Sequence, residues 1–169
     1  LKRVKFLVPC NWKVFVDNYL DGGYHVPHMH KDLSESINLK TYRSELFDGY
    51  NRQLSVNKSA TERVGTFSNY TWVYPNIMLN KYGDWIDTNI VFPTGPNSCE
   101  VFFDYFYKGS KENVEFELEQ SRKVQKEDEK VCDWVQQGLE SGAFDKGIYV
   151  ESFEKPMMQF HQMYFKDLG

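Results

Sequence analysis

The segment spanning residues 11–30, with the sequence NWKVFVDNYLDGGYHVPHMH, constrains the fold more than any other stretch of the chain. Its first half has the apolar spacing of an amphipathic helix, which we predict over residues 10–25. Two consecutive glycines, Gly22 and Gly23, weaken the last turn of that helix, and Pro27 prevents it from continuing. The segment therefore has to be a helix that ends abruptly and turns.

The break in this helix decides where its histidines point. His25 and His30 are five residues apart, so on an unbroken helix their side chains would point about 140° away from each other. A broken helix end allows both imidazoles to converge on one point. Two converging histidines are part of a metal site that requires a third ligand. We expect His28, which lies between them, to line the pocket or to support the site.

Length and composition set broad limits on the protein. The chain has 169 residues, which suits a single domain with its own core. Aromatic residues make up 17%, with 13 Phe and 11 Tyr, and this favours β-strands and a roomy pocket over a helical bundle. The net charge of −4 gives no reason to expect nucleic acid or an anionic membrane as a partner.

The cysteines indicate a reducing compartment. Cys10, Cys99 and Cys132 are odd in number and widely spaced, which argues against a disulfide framework. None of them has a neighbouring cysteine or histidine at the spacing of a zinc or iron–sulfur ligand pair. Because the sequence also contains no secretory signal and no apolar run long enough to cross a bilayer, we expect a cytoplasmic protein.

Most of the remaining chain predicts an antiparallel meander followed by helices. Short aromatic and β-branched segments with turns at close spacing favour strands. The predicted strands are Thr41–Phe47, Asn51–Asn57, Phe67–Tyr74, Ile77–Tyr82, Trp85–Phe92 and Cys99–Lys108, and Leu33–Leu39 is predicted as a loop. Helical periodicity returns over residues 113–140 and again over Glu154–Leu168. The plan is α+β, with helices covering one face of a sheet.

Asp128 is the candidate for the third ligand. Among the acids of residues 121–140 it is the only one that lies, on a helical wheel, within the apolar stripe formed by Val124, Val131, Cys132, Val135 and Leu139. A buried carboxylate requires a partner, which is either a metal ion or a salt bridge inside the core. Two histidines and one carboxylate suit Fe(II) that activates O₂, although Zn²⁺ with a bound water uses similar ligands.

Other acids and histidines have simpler interpretations. Asp17 is expected to be a structural or surface acid, and His161 is expected to be a core histidine with satisfied hydrogen bonds. Cys132 is most simply part of the core. Asp21 lies one helical turn before His25, where a hydrogen bond would fix the imidazole tautomer.

Several motifs carry a resemblance to a known family. These are Asn11-Trp12-Lys13, Asp17-Asn18-Tyr19, Tyr24-His25 with His30, and the late helix from Glu127-Asp128 to Gly138-Leu139. They resemble the catalytic domain of the alpha subunits of Rieske non-haem iron oxygenases, whose iron histidines have the spacing H-x4-H. The amino-acid sequence of residues 17–31 and of the C-terminal segments is most similar to the choline monooxygenase and glycine betaine oxygenase branch of that family.

The resemblance implies a helix-grip fold, as in Bet v1 and START domains, with a curved antiparallel sheet wrapped on a long C-terminal helix around a cavity. It implies Fe(II) bound by His25, His30 and Asp128, with Asn18 lining the iron site. In this family a carboxylate near the first histidine carries electrons between subunits, and Asp21 is the candidate here. Many members place that acid three residues before the histidine, where this chain has Gly22.

The resemblance also implies partners that lie outside this chain. Residues 1–169 would be a single catalytic domain, and a Rieske domain with a [2Fe-2S] cluster is expected upstream, since the chain begins without Met. The expected assembly is a homotrimer fed by a reductase, with O₂ and a small quaternary ammonium compound as substrates. Candidate aromatic residues for binding the cation are Trp72, Tyr74, Tyr82, Trp85 and Phe103. The alternatives are an aromatic-ring-hydroxylating dioxygenase and a non-catalytic protein that binds an apolar ligand.

Overall fold

A computed structural model describes residues 2–61, 65–109, 112 and 114–169, without the side chains of residues 59–61. Leu1 and Asn113, which begin the predicted domain and the predicted long helix, lie outside these residues. The strands are β1 Lys2–Val8, β2 Arg43–Phe47, β3 Tyr50–Thr61, β4 Gly65–Val73, β5 Ile77–Tyr82, β6 Trp85–Gly95 and β7 Ser98–Tyr107. The helices are α1 Trp12–Leu20, α2 Val26–Met29, α3 Lys31–Ser36, α4 Val114–Glu140 and α5 Lys155–Asp167, with a 3-10 turn at Leu39–Thr41.

The seven strands form one antiparallel sheet in the order β1-β7-β6-β5-β4-β3-β2. Strands β2 to β7 follow one another as a meander, which confirms the prediction from the short strands and close turns. The first strand, β1, pairs with the last strand, β7. In this antiparallel pair Lys2 lies opposite Tyr105 and Val8 lies opposite Cys99. This pairing places the start of α1 beside the turn between β6 and β7, where Nδ2 of Asn11 donates to the carbonyl of Pro96 at 2.6 Å.

Side chains along each strand point alternately to the two faces of the sheet. In β5 and β6 every second residue is buried, and these residues face the helices. The core combines them with the buried side of α1, where Val16 and Leu20 are fully buried, and with Phe160 from α5. A sheet with a long helix on one face confirms the α+β helix-grip class that the resemblance implied.

The first helix is shorter than its periodicity predicts. It ends at Leu20 with Asp21 as the C-cap, so the predicted helix to residue 25 is wrong over its last turn. The two glycines end it, since Gly22 and Gly23 have φ values of +73° and +77°. Pro27 does not cause the break, because it lies in the first turn of the four-residue helix α2, a position that tolerates proline.

Two further sequence predictions are wrong in part. Residues 33–36 lie in α3 rather than in a loop. Val135 and Leu139 of α4, which were predicted to belong to its buried stripe, are 47% and 42% exposed. The inward face of α4 instead carries Glu117, Leu118, Ser121, Gln125, Cys132 and Gln136. Several of these side chains are polar, so hydrophobic periodicity does not reveal the orientation of this helix.

Within the part of the chain that the structure describes, none of the helices combines the length and the apolar character that crossing a bilayer requires.

Candidate metal centre

The turn after α1 is shaped by the carboxylate of Asp21. Its Oδ1 accepts a hydrogen bond of 2.8 Å from the backbone N–H of Gly23, and its Oδ2 accepts one of 2.9 Å from the backbone N–H of His25. The positive φ angles of Gly22 and Gly23 allow the chain to fold back on this side chain. The sequence Asp-Gly-Gly therefore places His25 directly beside the end of α1.

His30 reaches the same point from the end of α2. Its backbone N–H donates to the carbonyl of Val26 at 2.9 Å, which closes the short helix and turns the side chain inward. The Nε2 atoms of His25 and His30 lie 3.0 Å apart. His30 is only 2% exposed, whereas His25 is partly exposed. The two imidazoles converge as the interrupted helix predicts.

Asp128 of α4 completes the group. Its Oδ1 lies 3.0 Å from Nε2 of His30 and 3.4 Å from Nε2 of His25. Two donors that are each about 2.1 Å from a metal ion and at right angles to each other lie about 3.0 Å apart. The three separations therefore fit one metal ion bound on a single triangular face, with the opposite positions open. Two imidazoles and one carboxylate in that arrangement form the ligand set of non-haem Fe(II) sites.

Each of the three ligand side chains is held by a further residue. Oδ2 of Asp21 accepts a short hydrogen bond from Nδ1 of His25. Oε2 of Glu127 lies 2.7 Å from Nδ1 of His30. These contacts fix the imidazoles in the tautomer that leaves each Nε2 available for a metal. Asn18 donates from Nδ2 to Oδ1 of Asp128 at 2.8 Å, which orients the carboxylate.

The electrostatics of the group are those of a compact ion cluster. Burial by itself lowers the pKa of His25, but the hydrogen bonds and charges of Asp128 and Asp21 outweigh it and raise the pKa to about 10. Burial raises the pKa of Asp128, but the two histidines outweigh that effect and lower it to about 2. A metal ion at this site would have to displace a proton from His25, so its affinity would increase with pH.

The remaining predicted residues lie elsewhere. His28 is exposed, and its ring lies near Tyr24. The prediction that it lines the pocket is therefore wrong. His161 is not a core residue, because its side chain is 30% exposed and its Nε2 lies 2.8 Å from Oδ1 of Asp17. Tyr149 forms a short hydrogen bond with Nδ1 of the same ring. Cys132 is fully buried in the core, as predicted.

A cavity of about 150 Å³ opens beside the three ligands. His25, His30 and Asp128 form part of its wall, and the sheet contributes the opposite wall. Its aromatic lining consists of Phe15, Tyr19, Tyr42, Tyr70, Tyr82 and Phe103. Burial raises the pKa of Tyr19 and of Tyr42 well above the usual value, so these phenols remain neutral.

The aromatic residues suggested by the sequence are divided between cavity and core. Tyr82 and Phe103 line the cavity. Trp72 and Trp85 are buried in the core, where Trp72 packs edge-on against Phe160. Sequence alone gave no signal for Glu127 as the partner of His30, since periodicity places that acid beside the buried stripe rather than on it.

We expect Glu127 to strengthen metal binding through His30. Replacement by alanine removes the carboxylate at Nδ1 and is expected to weaken Co(II) binding, used as a probe for Fe(II), by roughly 10- to 100-fold. Glu119 is a matched control, because it lies on the same helix, is exposed and pairs with Arg122 at 3.2 Å. Glu119→Ala should change the Co(II) dissociation constant by less than about twofold. Equal effects of the two variants in an absorption titration would contradict this role.

The comparisons with known proteins agree with this geometry. Residues 1–168 match the family model described as ring hydroxylating alpha subunit (catalytic domain). The chain is 46% identical over 168 residues to a choline monooxygenase of Arabidopsis thaliana, and the match covers 94% of this chain and 40% of the relative. A choline monooxygenase of Spinacia oleracea is 37% identical, over 95% of this chain and 38% of the relative. Both are described as chloroplastic, which does not confirm the cytoplasmic location expected from the sequence.

Solved structures establish the fold. A quaternary ammonium Rieske monooxygenase, whose structure concerns carnitine oxidation and electron transfer between subunits, superposes with a TM-score of 0.87 at 22% identity. That match covers 98% of this chain and 49% of the solved chain. Dicamba monooxygenase bound to dicamba gives a TM-score of 0.70 at 19% identity, over 99% of this chain and 59% of that one.

This chain spans about 40% of the length of the curated relatives it matches. The family model covers almost every residue, and the Arabidopsis thaliana relative is well above 30% identity across the whole chain. This chain therefore belongs to the ring-hydroxylating alpha subunit family, as part of its catalytic domain.

Proposed function

We propose that this chain is the iron-binding catalytic domain of an oxygenase that hydroxylates a small quaternary ammonium compound, with choline as the leading candidate. The observation that carries the proposal is the position of His25, His30 and Asp128, whose donor atoms fit one metal ion at the wall of an aromatic cavity. The choline monooxygenases among the relatives support the choice of substrate. Zn²⁺ fits the same three donors, but the family favours iron.

Fe(II) bound by these residues would supply O₂ activation next to a C–H bond of the substrate. The protein contributes the arrangement around that ion. Asp21 and Glu127 hold the imidazoles with their Nε2 atoms directed to one point, and Asn18 holds the carboxylate of Asp128. With three protein donors, the ion would retain positions for the small molecules that react in the cavity.

The charge of the cavity favours a cationic substrate. Among the described residues that line it, there is no lysine or arginine, and the carboxylates of Asp21, Asp87 and Asp128 are present. An anionic substrate would have to lie among these carboxylates, which is unfavourable at the low dielectric of a buried site. A quaternary ammonium group is instead attracted to the carboxylates and to the faces of the tyrosine rings.

The electrons are proposed to come from outside this chain. By family resemblance, the donor is the [2Fe-2S] Rieske cluster of a neighbouring subunit in a homotrimer, supplied by a reductase. Asp21 is the proposed route into the site, because its carboxylate contacts His25 and is largely but not completely buried. Residues 1–169 act as a single catalytic domain in this proposal.

Oxygen consumption by the full-length, iron-loaded protein with its reductase tests the proposal. Choline or a related betaine should stimulate O₂ uptake and be hydroxylated at a carbon beside oxygen or nitrogen, which gives an aldehyde after loss of water or releases formaldehyde from an N-methyl group, whereas arenes should not stimulate uptake. His25→Ala should abolish the stimulation, while His28→Ala, which changes an exposed histidine of the same segment, should retain it. Uptake that responds to arenes instead of cations would favour an aromatic-ring dioxygenase. Wild-type protein without metal-dependent uptake would favour a binding protein.

A further inference from the structure

Asp87 is a buried acid of the cavity that the metal centre does not use. It lies on β6, opposite Asn80 of β5 and Tyr105 of β7, so it projects from the middle of the sheet. Its residue is only 2% exposed, and it lines the same cavity as the three metal-binding candidates. Ionised side chains are rarely buried to this extent without a functional or structural reason.

Three neutral donors among the described residues hold the carboxylate of Asp87. Its Oδ1 accepts hydrogen bonds from Nδ2 of Asn80 at 2.7 Å and from Nδ2 of Asn89 at 2.9 Å. Its Oδ2 accepts one of 2.6 Å from the hydroxyl of Tyr82. Hydrogen bonds of this kind favour the ionised form of a carboxyl group and fix its orientation.

The network extends to α1, the helix that precedes the turn to His25. The hydroxyl of Tyr19 on α1 donates to Oδ1 of Asn80 at 2.6 Å, and that orientation leaves Nδ2 of Asn80 to donate to Asp87. Tyr19 precedes Asp21 by two residues. The position of the buried carboxylate is therefore coupled to the segment that presents His25.

We propose that Asp87 is the residue that selects a positively charged substrate, acting at a distance of a few ångströms on a quaternary ammonium group held against the tyrosine rings. This inference rests on the proposed function. A quaternary ammonium group has no N–H to donate, so it is recognised by charge and by aromatic faces rather than by hydrogen bonds. Tyr19, Tyr70 and Tyr82 supply such rings around the same cavity.

The other two carboxylates of the cavity have different roles. Asp128 would be a ligand of the proposed metal ion, and the two oxygens of Asp21 accept hydrogen bonds from the backbone N–H groups of Gly23 and His25. Asp87 lies across the cavity on the sheet, where its field can distinguish a cation from a neutral molecule of the same shape.

Binding of choline and of its neutral carbon isostere, 3,3-dimethylbutan-1-ol, to the anaerobic iron-loaded full-length protein tests this role by calorimetry. Wild-type protein should bind choline more tightly than the isostere. Asp87→Asn keeps the shape and should reduce the ratio of the two affinities by roughly 10-fold or more, with unchanged metal content. An unchanged ratio in this variant would overturn the inference.

A charge swap covers the case in which Asp87→Asn does not fold. The double variant Asp87→Asn with Asn89→Asp moves the carboxylate to the next inward position of the same strand and preserves one acid in the network. It should restore a preference for choline, and a ratio near one would count against the inference. Asp104→Asn is the control, since Asp104 lies on β7, pairs with Arg3 and is not among the cavity residues. Its ratio should equal that of the wild type.

The inference and the proposed function fail in different experiments. If the wild type prefers choline and loses that preference in Asp87→Asn, the inference holds even when no O₂ is consumed. If the protein oxidises choline and Asp87→Asn retains the preference for the cation, the proposed function holds and the inference is wrong.

Discussion

Replacement of Asp128 by asparagine is expected to weaken metal binding by about 100-fold or more and to abolish oxygenase activity. The substitution keeps the size of the side chain but removes the only anionic ligand of the proposed site, and it leaves two imidazoles to hold a divalent ion. Titration with Co(II) followed by calorimetry measures the loss directly.

The control for this substitution lies on the same helix. Asp133 accepts a hydrogen bond of 2.8 Å from Nε2 of Gln137 and is not among the residues that line the cavity. Asp133→Asn should leave the Co(II) dissociation constant within about twofold of the wild type. If Asp128→Asn bound Co(II) as tightly as Asp133→Asn, Asp128 would not be a ligand.

Replacement of Gly22 by aspartate is expected to destabilise the protein by at least about 3 kcal/mol. Gly22 has a φ of +73°, and a Cβ atom there would overlap the carbonyl oxygen of Phe153 and lie 2.8 Å from its carbonyl carbon. Many family members place an acid at this position relative to the first histidine. In this chain the close approach of Phe153 excludes it, and the carboxylate that contacts Nδ1 of His25 is that of Asp21, one residue earlier.

Thermal denaturation of Gly22→Asp should show a decrease in Tm of roughly 6–12 °C for a domain of this size. Gly138→Ala is the matched control, because Gly138 lies within α4 and a Cβ atom there meets nothing within 4 Å. That variant should be neutral or more stable by up to about 1 kcal/mol, since alanine favours the helix. A Gly22→Asp variant as stable as the control would contradict the packing described for the turn.

The strands were largely predictable because each is bounded by turn-forming residues. Ile77–Tyr82 has the predicted bounds, and Trp85 begins its strand as expected. The helices were less predictable, because their ends depend on contacts that periodicity does not contain. The end of α1 at Leu20 is set by the φ angles of two glycines and by the carboxylate of Asp21.

The site was predictable where sequence spacing determines geometry. The broken helix implied that His25 and His30 converge, and the helical wheel identified Asp128 as an inward acid. The wheel identified Asp128 correctly even though the predicted apolar stripe of α4 wrongly included Val135 and Leu139, which are about half exposed. The partners from other elements were not predictable, because Glu127 contacts His30, and Tyr19 contacts Asn80, across long sequence separations.

X-ray absorption at the cobalt edge of the Co(II)-loaded full-length protein tests the central claim most directly. If His25, His30 and Asp128 bind the metal, the spectrum should show only nitrogen and oxygen neighbours at about 2.0–2.2 Å, with outer-shell scattering from two imidazole rings. In the His30→Ala variant the spectrum should show outer-shell scattering from one imidazole ring instead of two. Sulfur at about 2.3 Å, or no imidazole scattering in the wild type, would contradict the assignment.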